Sequence, residues 1–211
     1  MVKRICGIDE AGRGPLAGPV TAAAVVFGAR GIGCTPADSK SLSARRRAQL
    51  EPQIRAAAVA WGIGWSWPEE IDLINIHNAS LLAMQRAFTA LCNSVQHYYP
   101  ASQARELIAA MEVQVDGRFT PQVGCPCLAI EGGDRTVPQI QAASILAKEA
   151  RDRWMRCYSR EEPQYGFDRH VGYPTLHHRR MIRQHGASRI QRHSFLVREP
   201  DCVAGGITAS S

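Results

Sequence analysis

Lysine is scarce in this chain: three stand against twenty-two arginines in 211 residues. Equally lacking is any uninterrupted apolar run of the roughly 18 residues that a membrane-spanning helix requires. The longest, Val20 to Phe27, has the length of a buried strand. The opening Met1-Val2-Lys3-Arg4-Ile5-Cys6 has a short basic step but no apolar segment and no small-residue cleavage site. A secretion signal is therefore not expected, and the expected address is the cytoplasm. Cysteine is neither abundant nor paired: seven are scattered over positions 6, 34, 92, 125, 127, 157 and 202. An odd, dispersed set in a chain of this size speaks against a disulfide framework and for reduced thiols. Cys125-Pro126-Cys127 is spaced too tightly for a zinc ribbon and has no second Cys/His pair at finger spacing. No internal repeat and no linker divides the chain, so one domain is expected over residues 1–198, with a flexible tail over 199–211.

What is present is a sizeable apolar fraction, 45%, which excludes wholesale disorder, and a formal charge of +6. Eleven of the arginines and five of the seven histidines lie at or beyond Arg151. Guanidinium forks match phosphate oxygens in a way that ammonium groups do not, so this end favours a nucleic-acid partner.

Hydrophobic patterning gives strands over residues 4–9, 20–27, 57–65, 112–116 and 127–130. Ser43 is placed to cap a helix running to Arg55, Pro68 stands at a helix start, residues 78–98 have helical spacing, and 137–158 form a long helix. Strands first in succession and then alternating with helices predict a mixed sheet covered by helices.

Asp9-Glu10, Asp116 and Asp134 each lie at or just beyond the end of a strand candidate, where α/β sheets gather their ligands. Each also has an ordinary alternative. Asp134 could cap the helix that follows it, and Asp116-Gly117 could be a simple turn. Asp9 and Glu10 should point to opposite faces of their strand unless the backbone bends, which the glycine-rich segment after them permits. Carboxylates that converge in a cleft repel one another and resist ionisation. Hard divalent cations relieve that repulsion, and oxygen donors without nearby Cys or His indicate Mg²⁺ or Mn²⁺ rather than zinc. A pair of such ions can activate water against a phosphodiester.

The run Gly7-Ile8-Asp9-Glu10-Ala11-Gly12-Arg13-Gly14-Pro15-Leu16-Ala17-Gly18-Pro19-Val20 resembles the opening signature of the ribonuclease HII family. Further blocks resemble that family in the same order. Among them are Asp38-Ser39-Lys40-Ser41-Leu42, Val115-Asp116-Gly117, Gly133-Asp134, Ala142-Ala143-Ser144-Ile145-Leu146-Ala147-Lys148, Gly172-Tyr173-Pro174-Thr175 and His193-Ser194-Phe195. The resemblance implies an α/β ribonuclease H-like fold, with a central five-stranded mixed sheet flanked by helices and a helical C-terminal portion. It implies cleavage of the RNA strand of RNA–DNA hybrids, and of duplex DNA 5′ of a single embedded ribonucleotide. The products would carry 5′-phosphate and 3′-hydroxyl ends, with Mn²⁺ or Mg²⁺ as cofactor.

By position, the family's catalytic and metal-binding acids fall on Asp9, Glu10, Asp116 and Asp134. Asp152 is a rival for the fourth, but Asp134 lies eight residues before the Ala142-Ala143-Ser144 block, as the family's acid does, and Asp152 reads as an ion-pair partner of Lys148 one turn back. Gly12-Arg13-Gly14 would meet the 2′-hydroxyl from the backbone, Tyr173 would pack beside the following sugar, and Lys40 would contact a phosphate. No membrane and no obligate protein partner are implied, and the tail carries no glutamine-plus-aromatic motif for a sliding clamp.

Two other readings remain: a junction resolvase-like nuclease of the same fold, which would have no use for the sugar-reading residues, and a non-catalytic nucleic-acid binder, which would gain nothing from buried acids.

Overall fold

The computed structural model describes residues 3–28 and 42–196. Lys40, Cys34, Cys202 and the tail expected over 199–211 lie outside the described residues. Five strands form one sheet: β1 (Arg4–Ala11), β2 (Val20–Phe27), β3 (Ala58–Ser66), β4 (Met111–Asp116) and β5 (Cys127–Ile130), in the order β3-β2-β1-β4-β5. β1 runs antiparallel to β2, and β2 to β3, while β1, β4 and β5 are parallel. The expected mixed five-stranded sheet is therefore the observed one.

The helices are α1 (Ala44–Ala57), α2 (Pro68–Tyr98), α3 (Ala101–Ala109), α4 (Gly133–Thr136), α5 (Pro138–Tyr158), α6 (Phe167–His170) and α7 (Leu176–His185). Ser43 caps α1 through its hydroxyl, which accepts from the Arg46 amide at 3.2 Å. In α2 the turn breaks at Asn75, whose φ of 66° and ψ of 164° are not helical. Its side chain accepts from the Asn78 amide at 3.1 Å and so restarts the helix.

Strand alternation sorts the core into two layers. Cys6 and Ile8 of β1, with Ala22, Ala24 and Val26 of β2, face α2 and α3, where Ala83, Ala87, Leu91 and Val95 complete one apolar cluster. Ala23, Val25 and Phe27 face α1 and α5 and meet Leu50, Ile54, Ala143 and Leu146. Fully buried Leu or Ile side chains of this kind contribute about 1.5–3 kcal/mol each. Gly62 and Gly64 let β3 approach α2 closely, since a Cβ at either would strike the helix backbone near Ala87 or Ala83. A third, smaller cluster around Ala17, Met155, Tyr165 and Phe167 seats the C-terminal helical portion on the glycine-rich segment after β1. That seating is fastened by the Ala17–Gln191 bridge and by amide donation from Arg192 to the Leu16 carbonyl at 2.9 Å. Cys6, Cys92, Cys125, Cys127 and Cys157 are free thiols.

Candidate active site

The parallel strands β1, β4 and β5 end side by side, and the acids stand at that edge. Ile8 is in register with Val115, and Asp116 with Ile130, so Asp9 and Asp116 are neighbours by strand pairing. The bend that the glycine-rich segment would permit at Asp9-Glu10 does not occur. β1 remains in unbroken register with β2 through Ala11, and the two side chains leave opposite faces of the strand. They nevertheless serve one site, because the pocket saddles the end of the sheet. Asp9, Glu10, Asp116, Gly12, Arg13, Gly14 and Tyr173 all line a single cavity of about 410 Å³. Asp134 is not on that wall. It is fully buried in α4, and its amide donates to the Asp116 carboxylate at 3.3 Å. It does not cap α5, whose N-cap is Val137.

The electrostatics are unfavourable to a bare cluster. Burial raises the Asp9 carboxyl well above its usual range, and the Glu10 and Asp116 charges push it further. The Ser144 hydroxyl and the Glu10 amide, the latter at 2.7 Å, hydrogen-bond to Asp9 and oppose the rise without cancelling it. Arg13 offsets part of the Glu10 charge across 3.1 Å. Among the described residues no three acidic, histidine or cysteine side chains are closed tightly around one point. The acids instead border an open mouth, which suits a hard cation that keeps several of its waters. Carboxylate oxygens and a carboxyl held against ionisation by its neighbours are the donor set such a cation fits.

Two buried arginines shape the other half of the site. The Arg151 guanidinium donates to the carbonyls of Pro19 at 2.8 Å, Val171 at 2.9 Å and Ala17 at 3.1 Å. That of Arg192 donates to Gly18 at 2.8 Å, Arg13 at 2.9 Å and Gly12 at 2.6 Å. Burial pulls Arg151 down to about 10; burial, and then the nearby Arg151 charge, pull Arg192 down to about 9. Both remain cations at neutral pH.

They also account for glycine at position 12. Its φ of +92° disfavours a side chain, and a Cβ there would collide with Arg151, so the constraint is internal. Gly14 is the open one: a Cβ there would meet Tyr173 at 3.9 Å and nothing nearer. Tyr173, 39% exposed, is held by its amide to the His170 carbonyl at 2.9 Å and by its carbonyl to His178 Nδ1 at 3.0 Å.

Sequence reading missed three polar residues on the pocket wall as site residues: Arg47, Ser144 and Lys148. Ser144 and Lys148 stand one turn apart on α5 within a family-like block, a signal that was available. Arg47, brought in from α1, has none. Lys148 pairs with Asp152 at 2.8 Å, as expected, and its ammonium lies 5.5 Å from the Tyr173 ring centre. Asp152 is buried rather than exposed, with Arg47 as a second cation at 3.8 Å.

Comparison with known proteins completes the description. A family model described as Ribonuclease HII matches residues 6–198. The ribonuclease HII of Cupriavidus necator is 48% identical over 199 residues, which are 94% of this chain and 79% of that protein. Among solved structures, ribonuclease H2 from Pyrococcus horikoshii superposes with a TM-score of 0.68 at 22% identity, covering 91% of this chain and 93% of that one. Bst-RNase HIII in complex with Mn²⁺ superposes with a TM-score of 0.63 at 17% identity, covering 87% of this chain and 63% of that one. At these identities the two structures speak for the fold.

Proposed function

This chain belongs to the ribonuclease HII family, and from that premise we propose that it cuts DNA duplexes on the 5′ side of a single embedded ribonucleotide, using the pocket at the ends of β1 and β4. The broader activity follows from the family: the chain is a ribonuclease H of type 2, a divalent-metal-dependent endonuclease acting on the RNA strand of RNA–DNA hybrids. Among the described residues no helix is long and apolar enough to cross a membrane. A nucleic-acid substrate supports a cytoplasmic address for the enzyme.

The observation that carries the finer reading is the confluence in one cavity of three carboxylates, an arginine-locked glycine loop and a half-exposed tyrosine. Asp9, Glu10 and Asp116 would hold Mg²⁺ or Mn²⁺, with Asp134 completing the set from below. When bound, such cations supply a nucleophile from water at neutral pH and offset charge on the departing 3′ oxygen. The chain's own residues do the rest. Ser144 fixes the Asp9 carboxylate by donating to it. Arg192 holds the inward carbonyls of Gly12 and Arg13, so the peptide segment that meets a 2′-hydroxyl cannot turn. Tyr173 confines the following sugar, and Lys148 beside it meets phosphate. A site built around a hydroxyl leaves its partners unpaired when deoxyribose replaces ribose, which supports discrimination of about 10⁴-fold or more.

The test is a labelled duplex with one ribonucleotide, incubated with Mg²⁺ or Mn²⁺ beside its all-DNA twin. A single cut 5′ of the ribonucleotide, leaving 5′-phosphate and 3′-hydroxyl ends, is expected. Equal cutting of both duplexes would remove the 2′-hydroxyl reading and favour a resolvase-like nuclease.

A further inference from the structure

Tyr173 borders the catalytic cavity and is too exposed for packing alone to fix its ring. The ring stands where its backbone puts it, and both backbone polar groups are gripped. The amide donates to the His170 carbonyl at 2.9 Å. The carbonyl accepts from the Thr175 amide at 2.8 Å and from His178 Nδ1 at 3.0 Å. Pro174 adds a steric limit, since the residue before a proline is held extended. The approach to Tyr173 is forced: Val171 has a φ of 43°, a strained value for a β-branched residue, and Gly172 a φ of 87°. Such strain persists only where surrounding contacts over-determine it.

His178 comes from the first turn of α7 and is fully buried. Its ring stacks on His170 at 4.6 Å and meets Phe167 nearly at right angles, at 5.4 Å. His170 grips the same segment: its Nε2 donates to the Tyr165 carbonyl at 2.8 Å, and its Nδ1 accepts from the Gly172 amide at 3.2 Å. The two rings thus hold opposite tautomers, each set by a carbonyl that can only accept. His178 Nε2 makes no hydrogen bond among the described residues, so this imidazole carries a desolvation cost that leucine would not. What it adds over leucine is a donor in a fixed direction. We propose that His178, backed by His170, is a positioning residue for Tyr173: its Nδ1–H sets the tyrosine carbonyl, and with it the place of the ring beside the sugar. It touches no substrate itself. This inference rests on the reading of Tyr173 under the proposed function.

The test follows cleavage of a duplex with one ribonucleotide, at saturating Mn²⁺, by the wild type, Tyr173→Ala, His178→Leu, His178→Asn and the double variant Tyr173→Ala/His178→Leu. His178→Leu should lower kcat about ten- to a hundredfold, as a misplaced positioning group does, with KM nearly unchanged. His178→Asn, whose amide nitrogen stands where Nδ1 does, should recover most of that rate. In the Tyr173→Ala background the leucine should cost nothing further, because the ring it would misplace is gone. Should His178→Leu not melt cooperatively, His178→Gln, whose amide stands where Nε2 does, carries the same expectations. A folded leucine or glutamine variant with the wild-type rate would overturn the assignment. So would an asparagine variant as slow as either, or losses that multiply in the double variant. Wild-type cleavage by Tyr173→Ala alone would instead overturn the functional reading of that tyrosine, and is measured first.

Discussion

Two neighbouring regions bury charge, and they treat it in opposite ways. Under the glycine-rich segment, Arg151 and Arg192 are both fully buried, yet each donates to three backbone carbonyls. At the strand ends a few residues away, Asp9 is 4% exposed, with like charges on Glu10 and Asp116 beside it. Buried cations surrounded by oriented carbonyls behave as rivets; buried anions facing one another are unsettled until a cation joins them. The settled pair holds a loop rigid, and the unsettled cluster holds an affinity in reserve. On the proposed function, substrate recognition falls to the rigid half and chemistry to the frustrated half.

The comparison breaks most visibly at the carboxylates. Asp9→Asn or Asp116→Asn should lower cleavage by about 10³-fold or more while leaving hybrid affinity nearly intact. Stability of the Asp9 variant should not fall, because burial raises that carboxyl's folded pKa and so costs stability at neutral pH, a cost its neutral isostere lacks. Steady-state rates and a melting curve for each variant decide this. Asp134→Asn should behave alike in rate, since on the proposed function its carboxylate completes the metal-binding set next to Asp116, to which its amide donates.

The arginine side should show the reverse pattern. Arg192→Ala leaves three carbonyls without their donor and should cost about 3 kcal/mol by chemical denaturation, since hydrogen bonds to a charged group are each substantial. Arg192→Lys should recover little, because an ammonium cannot span three carbonyls in a plane. A smaller effect is expected at Asp152, which is buried between Lys148 and Arg47. Asp152→Asn should cost about 1–2 kcal/mol and leave the rate within a few-fold.

The smallest effect is with pH. His170 and His178 stack 4.6 Å apart under the Tyr173 loop, and burial lowers both from 6.5. Folded histidines that resist protonation lose stability as pH falls below that value, because the unfolded chain takes up the protons first. Denaturation midpoints at pH 7.5 and 5.5 should therefore differ in the wild type and converge in a His170→Gln/His178→Gln variant.

Much of this was legible in the sequence. Apolar runs marked all five strands, β2 and β5 with their observed bounds and the others with ends displaced by one or two residues. Ser43 and Pro68 marked their helix starts. The helix Ala101–Ala109 went unread because it is short and fully buries only Ala104. The break at Asn75 was invisible for a different reason: the apolar spacing on either side describes helix, and the interruption depends on one side chain capping the helix that follows.

At the site, acids and glycines were readable from their order along the chain. Their internal causes were not. Gly12 is set against Arg151 from a distant helix, and Arg47 reaches the pocket wall from α1. No local pattern encodes contacts of that range.

The central claim is that the carboxylate cluster is destabilised by its own charge until a divalent cation joins it. Melting the wild type and Asp9→Asn with and without saturating Mn²⁺ tests this directly, since a ligand that binds the folded state alone raises its stability. The account predicts a clear metal-dependent rise for the wild type, and for Asp9→Asn a higher metal-free midpoint with little further gain. Equal rises in both proteins, or a metal-free Asp9→Asn that melts below the wild type, would contradict it.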